Sequence, residues 1–352
     1  MYLAGLGTAT PEQRYTKADC WEAFKVSAWF MRLDRRARAI AEFVLQSDNG
    51  IEARRLAVAS LPEVFAIDPD TLHARFLGHA PWLATRAAER ALADAGCDAG
   101  AIDAVVISTC SGYLCPGLTS YVAQALGLRA DVQALDLVGQ GCGAALPNWR
   151  MAEALLASGR CAHVLSVCVE VCSAAMYLDN DPGVLISACL FGDGAGAAVL
   201  CAMPVAGKRS IRWKATGSLT DPSQRDALRF EQRHGLLRNI LTREVPALAG
   251  DCAARVLAIV LAEQGLRQSD ISGWILHAGG RDVLAALRQR LGLSESDQHH
   301  SAAVLREYGN LSSAFIYFVL QAALAEPMPG GLWWMASFGA GFSSHGALLE
   351  VE

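Results

Sequence analysis

Apolar segments alternate along this chain with short breaks that contain glycine. Residues 73–95 are rich in alanine and leucine and stop at Gly96, which predicts a helix. The apolar run 102–108 that follows predicts a buried strand. Near-continuous apolar runs are typical of parallel strands that helices cover on both faces. An α/β fold is therefore predicted, continuing with a helix to about 126, strands over 132–138 and 164–171, and a helix that begins near Cys142.

The second half of the chain repeats the element order of the first. Residues 253–264 form another alanine-rich segment that precedes a glycine, and the runs 271–276 and 332–337 predict two more strands. One register relates the halves, because adding 168 to position 109 gives His277 and adding 168 to position 142 gives Asn310. Self-similarity over so long a period indicates a duplicated architecture.

We therefore predict two duplicated βαβ halves, residues 1–210 and 211–352, that face each other across a pseudo-twofold axis. Ligands of open α/β sheets lie at the carboxyl ends of strands. Equivalent strand ends and helix starts meet near the axis, so we expect Cys142, His277 and Asn310 at one site.

Composition and charge exclude several classes of protein. The chain has 352 residues, 53% of them hydrophobic, which is enough for two packed halves. Its net charge of -5 argues against a nucleic-acid partner. The most apolar windows, 164–178 and 311–325, are interrupted by Glu170 or Gln321. Both are shorter than the roughly 20 residues of a membrane span, so no span is expected.

The cysteines point to a reducing compartment. Eleven is an odd number, and their spacing lacks the repeated two-residue gap of a structural zinc site. The amino terminus has no charged region before its short apolar patch, so we expect a cytoplasmic protein. A basic stretch that suits a phosphorylated small molecule, or equally a solvated helix face, contains Arg32, Arg35, Arg36 and Arg38.

Cys142 is the candidate nucleophile. It lies between Gly141 and Gly143 where a helix is predicted to begin, and backbone N–H groups at a helix start favour a thiolate. The glycines are expected to leave room for a group that approaches the sulfur. His277 can then act as base or hydrogen-bond donor, and Asn310 as a polarising group. Each has a structural alternative: a core cysteine, a satisfied histidine and a helix N-cap.

The motifs that contain these three residues resemble those of type III polyketide synthases, the chalcone-synthase-like branch of the thiolase superfamily. The resemblance extends from Thr10 to Ser344. Its motifs, in the order of the family, are Gly141-Cys142, Leu190-Phe-Gly-Asp-Gly-Ala195, His277-Ala-Gly-Gly280, Tyr308-Gly-Asn-Leu-Ser-Ser-Ala314 and Ser337-Phe-Gly-Ala-Gly-Phe342.

The resemblance implies a thiolase-like fold in five layers (α-β-α-β-α), a homodimer and a catalytic triad of Cys142, His277 and Asn310. It implies that Phe191 gates the passage between a CoA tunnel and an inner pocket. The other residues expected to bind substrate are Ser312, Cys110, Ser111, Cys172, Ala175 and Asn239. Arg54 and Arg55 are the expected partners of the CoA phosphates.

The implied reaction is an iterative condensation. Cys142, as a thiolate paired with protonated His277, takes a starter acyl group from CoA. Malonyl-CoA then loses carbon dioxide, and the enolate, held by His277 and Asn310, attacks the Cys142 thioester. The chain is extended again and finally cyclises. Acyl-CoA and malonyl-CoA are the expected substrates, with no metal and no cofactor.

Other functions compete with this one. A β-ketoacyl synthase III would make a single condensation, but its histidine is usually followed by Gln-Ala-Asn, whereas His277 is followed by Ala-Gly-Gly. A thiolase proper would carry a second catalytic cysteine near the carboxyl terminus, and residues 337–352 contain none. A silent, partner-binding subunit remains the non-enzymatic alternative.

The sequence also gives an expectation for the starter. Asn239 stands where the family often has a second gating phenylalanine, and Ala175 stands where plant members carry a threonine. A roomy pocket is therefore expected, which favours apolar acyl chains. A small malonyl starter is the rival.

Overall fold

The computed structural model describes all 352 residues. Its strands are β1 Tyr2–Ala9, β2 Arg14–Thr16, β3 Ala53–Arg55, β4 Ala104–Ser108, β5 Gln133–Leu137, β6 His163–Glu170, β7 Gly194–Cys201, β8 Ile211–Thr220, β9 Leu228–Arg233, β10 Leu236–Leu241, β11 Ile271–Leu276, β12 Gly331–Gly339 and β13 Ser343–Val351. Its helices are α1 Lys17–Lys25, α2 Ala28–Arg32, α3 Arg35–Gln46, α4 Pro69–Ala95, α5 Leu118–Leu126, α6 Ala145–Ala157, α7 Pro182–Leu190, α8 Val245–Gln264, α9 Arg281–Leu291, α10 His299–Tyr308 and α11 Phe315–Ala325.

Nine strands form one mixed sheet in the order β11-β12-β13-β8-β1-β7-β6-β4-β5. In the first half β4 and β6 are parallel, and β6, β7 and β1 then pair antiparallel. In the second half β11 and β12 are parallel, and β12, β13 and β8 pair antiparallel. The two halves are joined at a single pair, Tyr2 and Arg212. The strand pairing therefore repeats as the sequence predicted.

Three apolar cores hold five layers together, and the central core contacts the strands of both halves. The buried faces of α6 and α11 share one core with strands from both halves, which places these two helices in the centre. On one outer side α4 packs against the strands of the first half, and on the other side α8 and α9 pack against those of the second. Trp149 of α6 donates a hydrogen bond to the Tyr317 hydroxyl of α11 at 3.1 Å. The five-layered α/β fold predicted from the sequence is confirmed.

Two helices begin earlier than their apolar pattern predicts. α4 starts at Pro69 after an Asp68 N-cap, and α8 starts at Val245 with a proline in its first turn. Proline is favourable in the first turn, where its missing N–H leaves no hydrogen bond unmade. Both helices end at a left-handed glycine, as predicted for Gly96. α8 is long and apolar enough to cross a membrane, but half of its most apolar window is buried inside the protein.

Candidate active site

Cys142 lies on a short turn, Gly141–Gly143, between β5 and α6. Gly141 has a φ of 57°, and a side chain on it would come within 2.9 Å of the Ala340 backbone nitrogen. A Cβ on Gly143 would lie 3.2 Å from the Gly339 nitrogen. These glycines therefore let the turn pack against the loop after β12. Gly141 also lines a cavity that Cys142 faces, so the expectation that the glycines leave room beside the sulfur stays a prediction.

The structure brings Cys142, His277 and Asn310 together in the wall of one tunnel of about 630 Å³. His277 directly follows β11, and its N–H donates to the Ala336 carbonyl of β12 at 2.9 Å. Asn310 lies between α10 and α11, and its N–H donates to the Leu190 carbonyl at 2.9 Å. The two halves thus contribute equivalent positions to one site, as the shared register predicted.

The Asn310 side chain has a fixed orientation. Its Oδ1 accepts a hydrogen bond from the Ser312 N–H at 2.8 Å, and its Nδ2 donates to the Gly279 carbonyl at 3.2 Å. One N–H of the amide remains for a ligand. Ser312 has a φ of 51°, a left-handed conformation that is uncommon for a residue with a side chain. Its hydroxyl donates to the Cys142 sulfur at 3.1 Å.

His277 is held by packing rather than by hydrogen bonds. Its ring lies between Phe315 and Phe338, with centroids 5.2 Å and 4.9 Å away, and both contacts are edge to face. Neither ring nitrogen has a hydrogen-bond partner within the protein. Burial lowers the pKa of His277 to about 3, so the imidazole is neutral at pH 7.

The thiol of Cys142 is also neutral in the free site. Burial raises its pKa to about 12, and the hydrogen bond from Ser312 only partly opposes this rise. The sequence predicted a thiolate paired with protonated His277, but burial shifts both groups toward their uncharged forms. Burial therefore opposes that resting ion pair.

A second, inner cavity of about 60 Å³ adjoins the tunnel. Four residues face both spaces: Cys142, Phe191, Leu228 and Asn239. Phe191 and Asn239 therefore lie at the predicted boundary between tunnel and pocket. The remaining predicted pocket residues all line the inner cavity: Cys110, Ser111, Cys172, Ala175 and Ser312.

The inner cavity is not roomy, which contradicts the expectation based on Asn239. Asn239 lies in the β9–β10 hairpin directly opposite Phe230, and the Phe230 ring lines the same cavity. Met176 and Tyr177, which follow Ala175 in the sequence, also line the cavity. Large side chains at Phe230, Met176 and Tyr177 therefore share the wall of this small cavity with Asn239 and Ala175.

Glu170 is a site residue that the sequence did not predict. It ends β6, is fully buried, and accepts hydrogen bonds from the Ser111 hydroxyl at 2.8 Å and the Cys110 N–H at 3.1 Å. The Ser313 hydroxyl also donates to it, and the Ser312 Oγ lies 3.3 Å from Glu170 Oε1. Burial raises its pKa, while these donors favour the charged form. The sequence feature that could have identified Glu170 is that it is the only carboxylate in the apolar strand β6.

The prediction for Arg54 was wrong, and Arg55 also lies away from the tunnel wall. The Arg54 guanidinium is buried and donates to the carbonyls of Ala188 at 2.7 Å and Phe191 at 3.1 Å. Arg55 contacts Glu307 at 3.4 Å. Exposed arginines line the tunnel instead, namely Arg36, Arg243 and Arg281. Of these, Arg36 belongs to the basic stretch that the sequence singled out.

Duplicated halves that meet at a half-buried cysteine, a buried histidine and a buried asparagine place the chain among the thiolase-like enzymes. Residues 61–221 match the family model for FAE1/type III polyketide synthase-like proteins. Residues 222–332 match the C-terminal domain of chalcone and stilbene synthases.

Individual relatives and one solved structure support the same family assignment. The chain is 31% identical to a 1,3,6,8-tetrahydroxynaphthalene synthase of Streptomyces peucetius subsp. caesius, over 99% of this chain and 92% of that protein. It is 28% identical to a 3,5-dihydroxyphenylacetyl-CoA synthase of Streptomyces toyocaensis, over 99% and 89%. The fold is similar to the crystal structure of PKS-I from the brown alga Ectocarpus siliculosus, with a TM-score of 0.90 at 24% identity, over 99% and 98% of the chains. The chain belongs to the type III polyketide synthase family.

Proposed function

We propose that Cys142, His277 and Asn310 carry out an iterative decarboxylative condensation of CoA thioesters. The observation that carries this proposal is that the three side chains line one tunnel, with Cys142 at its boundary with an inner cavity. Neutral His277 accepts the Cys142 proton as the sulfur attacks the acyl carbonyl, and returns it to the departing CoA thiolate. The starter is then held as a thioester on Cys142.

Extension uses the other two residues. Malonyl-CoA loses carbon dioxide, and the electron pair of the broken C–C bond becomes the enolate of acetyl-CoA. Hydrogen bonds from His277 and the free N–H of Asn310 stabilise the enolate oxygen. The enolate carbon attacks the Cys142 thioester and the sulfur leaves as thiolate. The extended chain is transferred to the sulfur for the next cycle, and the inner cavity shapes its cyclisation. These groups suffice without a metal or a cofactor.

The size of the inner cavity supports a short starter. It measures about 60 Å³, whereas the tunnel measures about 630 Å³. A long acyl chain on Cys142 has no matching space on the inner side. Two relatives are named for polyhydroxylated aromatic products, 1,3,6,8-tetrahydroxynaphthalene and 3,5-dihydroxyphenylacetyl-CoA. We therefore propose malonyl-CoA or another short acyl-CoA as starter, and a small cyclised product.

Phe230→Ala tests this assignment. In the parent, incorporation should fall as acyl-CoA starters lengthen from acetyl to palmitoyl. Removing the ring should move the optimum toward longer chains, since each extra buried methylene contributes up to ~0.8 kcal/mol, about fourfold in loading. Product masses and the rate of CoA release measure the shift. A parent that already prefers long chains, or a variant with the parent's profile, would contradict the proposal.

We propose that the tunnel arginines bind the phosphates of CoA. Arg243→Ala should raise KM for malonyl-CoA about tenfold with little change in kcat, because a charge-assisted hydrogen bond contributes about 1.5–3 kcal/mol. Arg225→Ala is the matched control, an exposed arginine outside the tunnel. Malonyl-N-acetylcysteamine lacks the nucleotide phosphates, so its KM should be the same in all three proteins. An equal change for both substrates would contradict the assignment.

Two further features support a cytoplasmic homodimer. β5 is the last strand of the nine-stranded sheet and has an unpaired edge, which can pair with a second copy. Val138, which directly follows this strand, is an apolar side chain that is 67% exposed. All eleven cysteines are free thiols, which suits a reducing compartment.

We propose residues 1–210 and 211–352 as the duplicated units of each protomer. Sedimentation velocity tests whether two protomers form a dimer.

A further inference from the structure

Helices α10 and α11 form an antiparallel hairpin. Residues 309–314 connect them, and this connection holds Asn310 and Ser312. At the other end of the hairpin, the first turn of α10 lies beside the end of α11. His299 and His300 begin α10, and Glu326 directly follows α11. The open end of the hairpin is thus lined by two imidazoles and one carboxylate.

The side chains at this open end are close together. The His299 Nε2 lies 4.0 Å from Glu326 Oε1, and the His300 Nε2 lies 3.9 Å from Glu326 Oε2. One ligand atom from each of the three residues can be chosen so that all lie within 4.8 Å of one another. The Met328 sulfur lies 3.1 Å from the His300 Nε2. Around a tetrahedral zinc ion, ligands at about 2.0–2.2 Å are roughly 3.3 Å apart, so small side-chain movements would complete the geometry.

We propose that His299, His300 and Glu326 bind a divalent transition-metal ion, Zn²⁺ in the first instance. Two imidazoles and one carboxylate are ligands that zinc prefers, whereas Mg²⁺ and Ca²⁺ prefer oxygen alone. Water or the Met328 thioether takes the fourth position. This site is separate from the condensation chemistry, which uses Cys142, His277 and Asn310.

Burial supports a ligand role for His300 in particular. Its side chain is only 9% exposed, and the close partner of its Nε2 is a thioether sulfur, which is a weak acceptor. A metal would give this nitrogen a strong partner. His299 and Glu326 are 64% and 55% exposed, so an ion can enter from solvent. The dipole at the start of α10 opposes a cation, and the Glu326 charge together with the carboxyl end of α11 compensates for it.

A metal here would clamp the open end of the hairpin whose connection carries Asn310. Binding to the native state stabilises it according to the ratio of free ion to Kd. At a hundredfold excess of ion over Kd, Tm should rise by about 3 °C for a chain of this size. Catalytic rates at room temperature should stay the same, since the ligands lie at the far end of both helices.

The test is a zinc titration of the chelator-stripped homodimer against a chromophoric competitor, combined with thermal unfolding. The parent should bind Zn²⁺ and gain stability, with no response to Mg²⁺. His299→Ala and Glu326→Gln should each weaken this binding at least tenfold, which would lower the Tm shift to about half or less at the same ion concentration. Both positions are exposed, so both variants should fold. His73→Ala and Glu295→Gln, exposed residues outside the cluster, are the controls.

Cobalt distinguishes this site from the free thiols. Co²⁺ bound by imidazole and carboxylate gives visible d–d bands without a thiolate charge-transfer band, and these bands should disappear in Glu326→Gln. Equal zinc affinity in the parent and both cluster variants would overturn the proposal. A cobalt spectrum dominated by thiolate charge transfer that both cluster variants retain would also overturn it, because the ion would then be bound by cysteine.

Discussion

Cys142→Ala should abolish polyketide formation and still decarboxylate malonyl-CoA. Without the sulfur no starter thioester forms, so there is no acceptor for the enolate. The groups proposed to stabilise the enolate remain, because Asn310 is held by Ser312 and Gly279 and His277 by two phenylalanines. Carbon dioxide release from malonyl-CoA and the mass of the protein after incubation with acetyl-CoA measure the two half-reactions separately.

His277→Ala and Asn310→Ala should show the opposite pattern. Each removes a hydrogen bond to the developing oxyanion, which typically lowers the rate by about 10²–10³-fold. Decarboxylation should therefore fall in both variants, while Asn310→Ala should still load acetyl onto Cys142. Cys252→Ala, a buried cysteine of α8 outside both cavities, is the control and should keep both activities. If Asn310→Ala decarboxylated malonyl-CoA as fast as the parent, its assigned role would be wrong.

The sequence predicted those features that depend on a repeated pattern. The strand predicted over 271–276 is β11, because every residue but Ser272 and Gly273 is apolar and the run is bounded by polar residues. The register of 168 residues correctly placed Cys142 and Asn310 at equivalent turns before α6 and α11. Such periodic information is local or internal to the chain, so one sequence is enough to read it.

Features that depend on contacts between distant segments could not be predicted in this way. Arg54 and Arg55 are adjacent in sequence, yet the first is buried against α7 and the second contacts Glu307. Asn239 suggested an open gate, but its partner across the hairpin is Phe230. Glu170 gained its role from donors 59 and 143 residues away in sequence. Tertiary neighbours decide burial, charge and cavity size, and residue type alone does not.

Gly309 lies directly before the active-site residue Asn310, and replacing it should strongly lower activity while the protein remains folded. It has a φ of 70° and a ψ of -163°, a region of backbone conformation open essentially to glycine alone. A Cβ at this position would lie 2.6 Å from the Leu190 carbonyl oxygen. That same carbonyl accepts the Asn310 N–H. A side chain at 309 therefore pushes apart the two segments whose contact positions Asn310.

Gly309→Ala should consequently lower kcat by about 100-fold, because a displacement of about 1 Å at a reacting group has an effect of that size. The matched control is Gly292→Ala. Gly292 also has a positive φ, 62°, but no atom lies within 4 Å of its added Cβ. The control should lose about 1–2 kcal/mol of stability from backbone strain and keep its activity. Both variants are compared by circular dichroism, thermal unfolding and malonyl-CoA decarboxylation. These measurements distinguish a loss of stability caused by backbone strain from a loss of activity through displacement of Asn310. Comparable activity in the two variants would mean that Gly309 does not position Asn310.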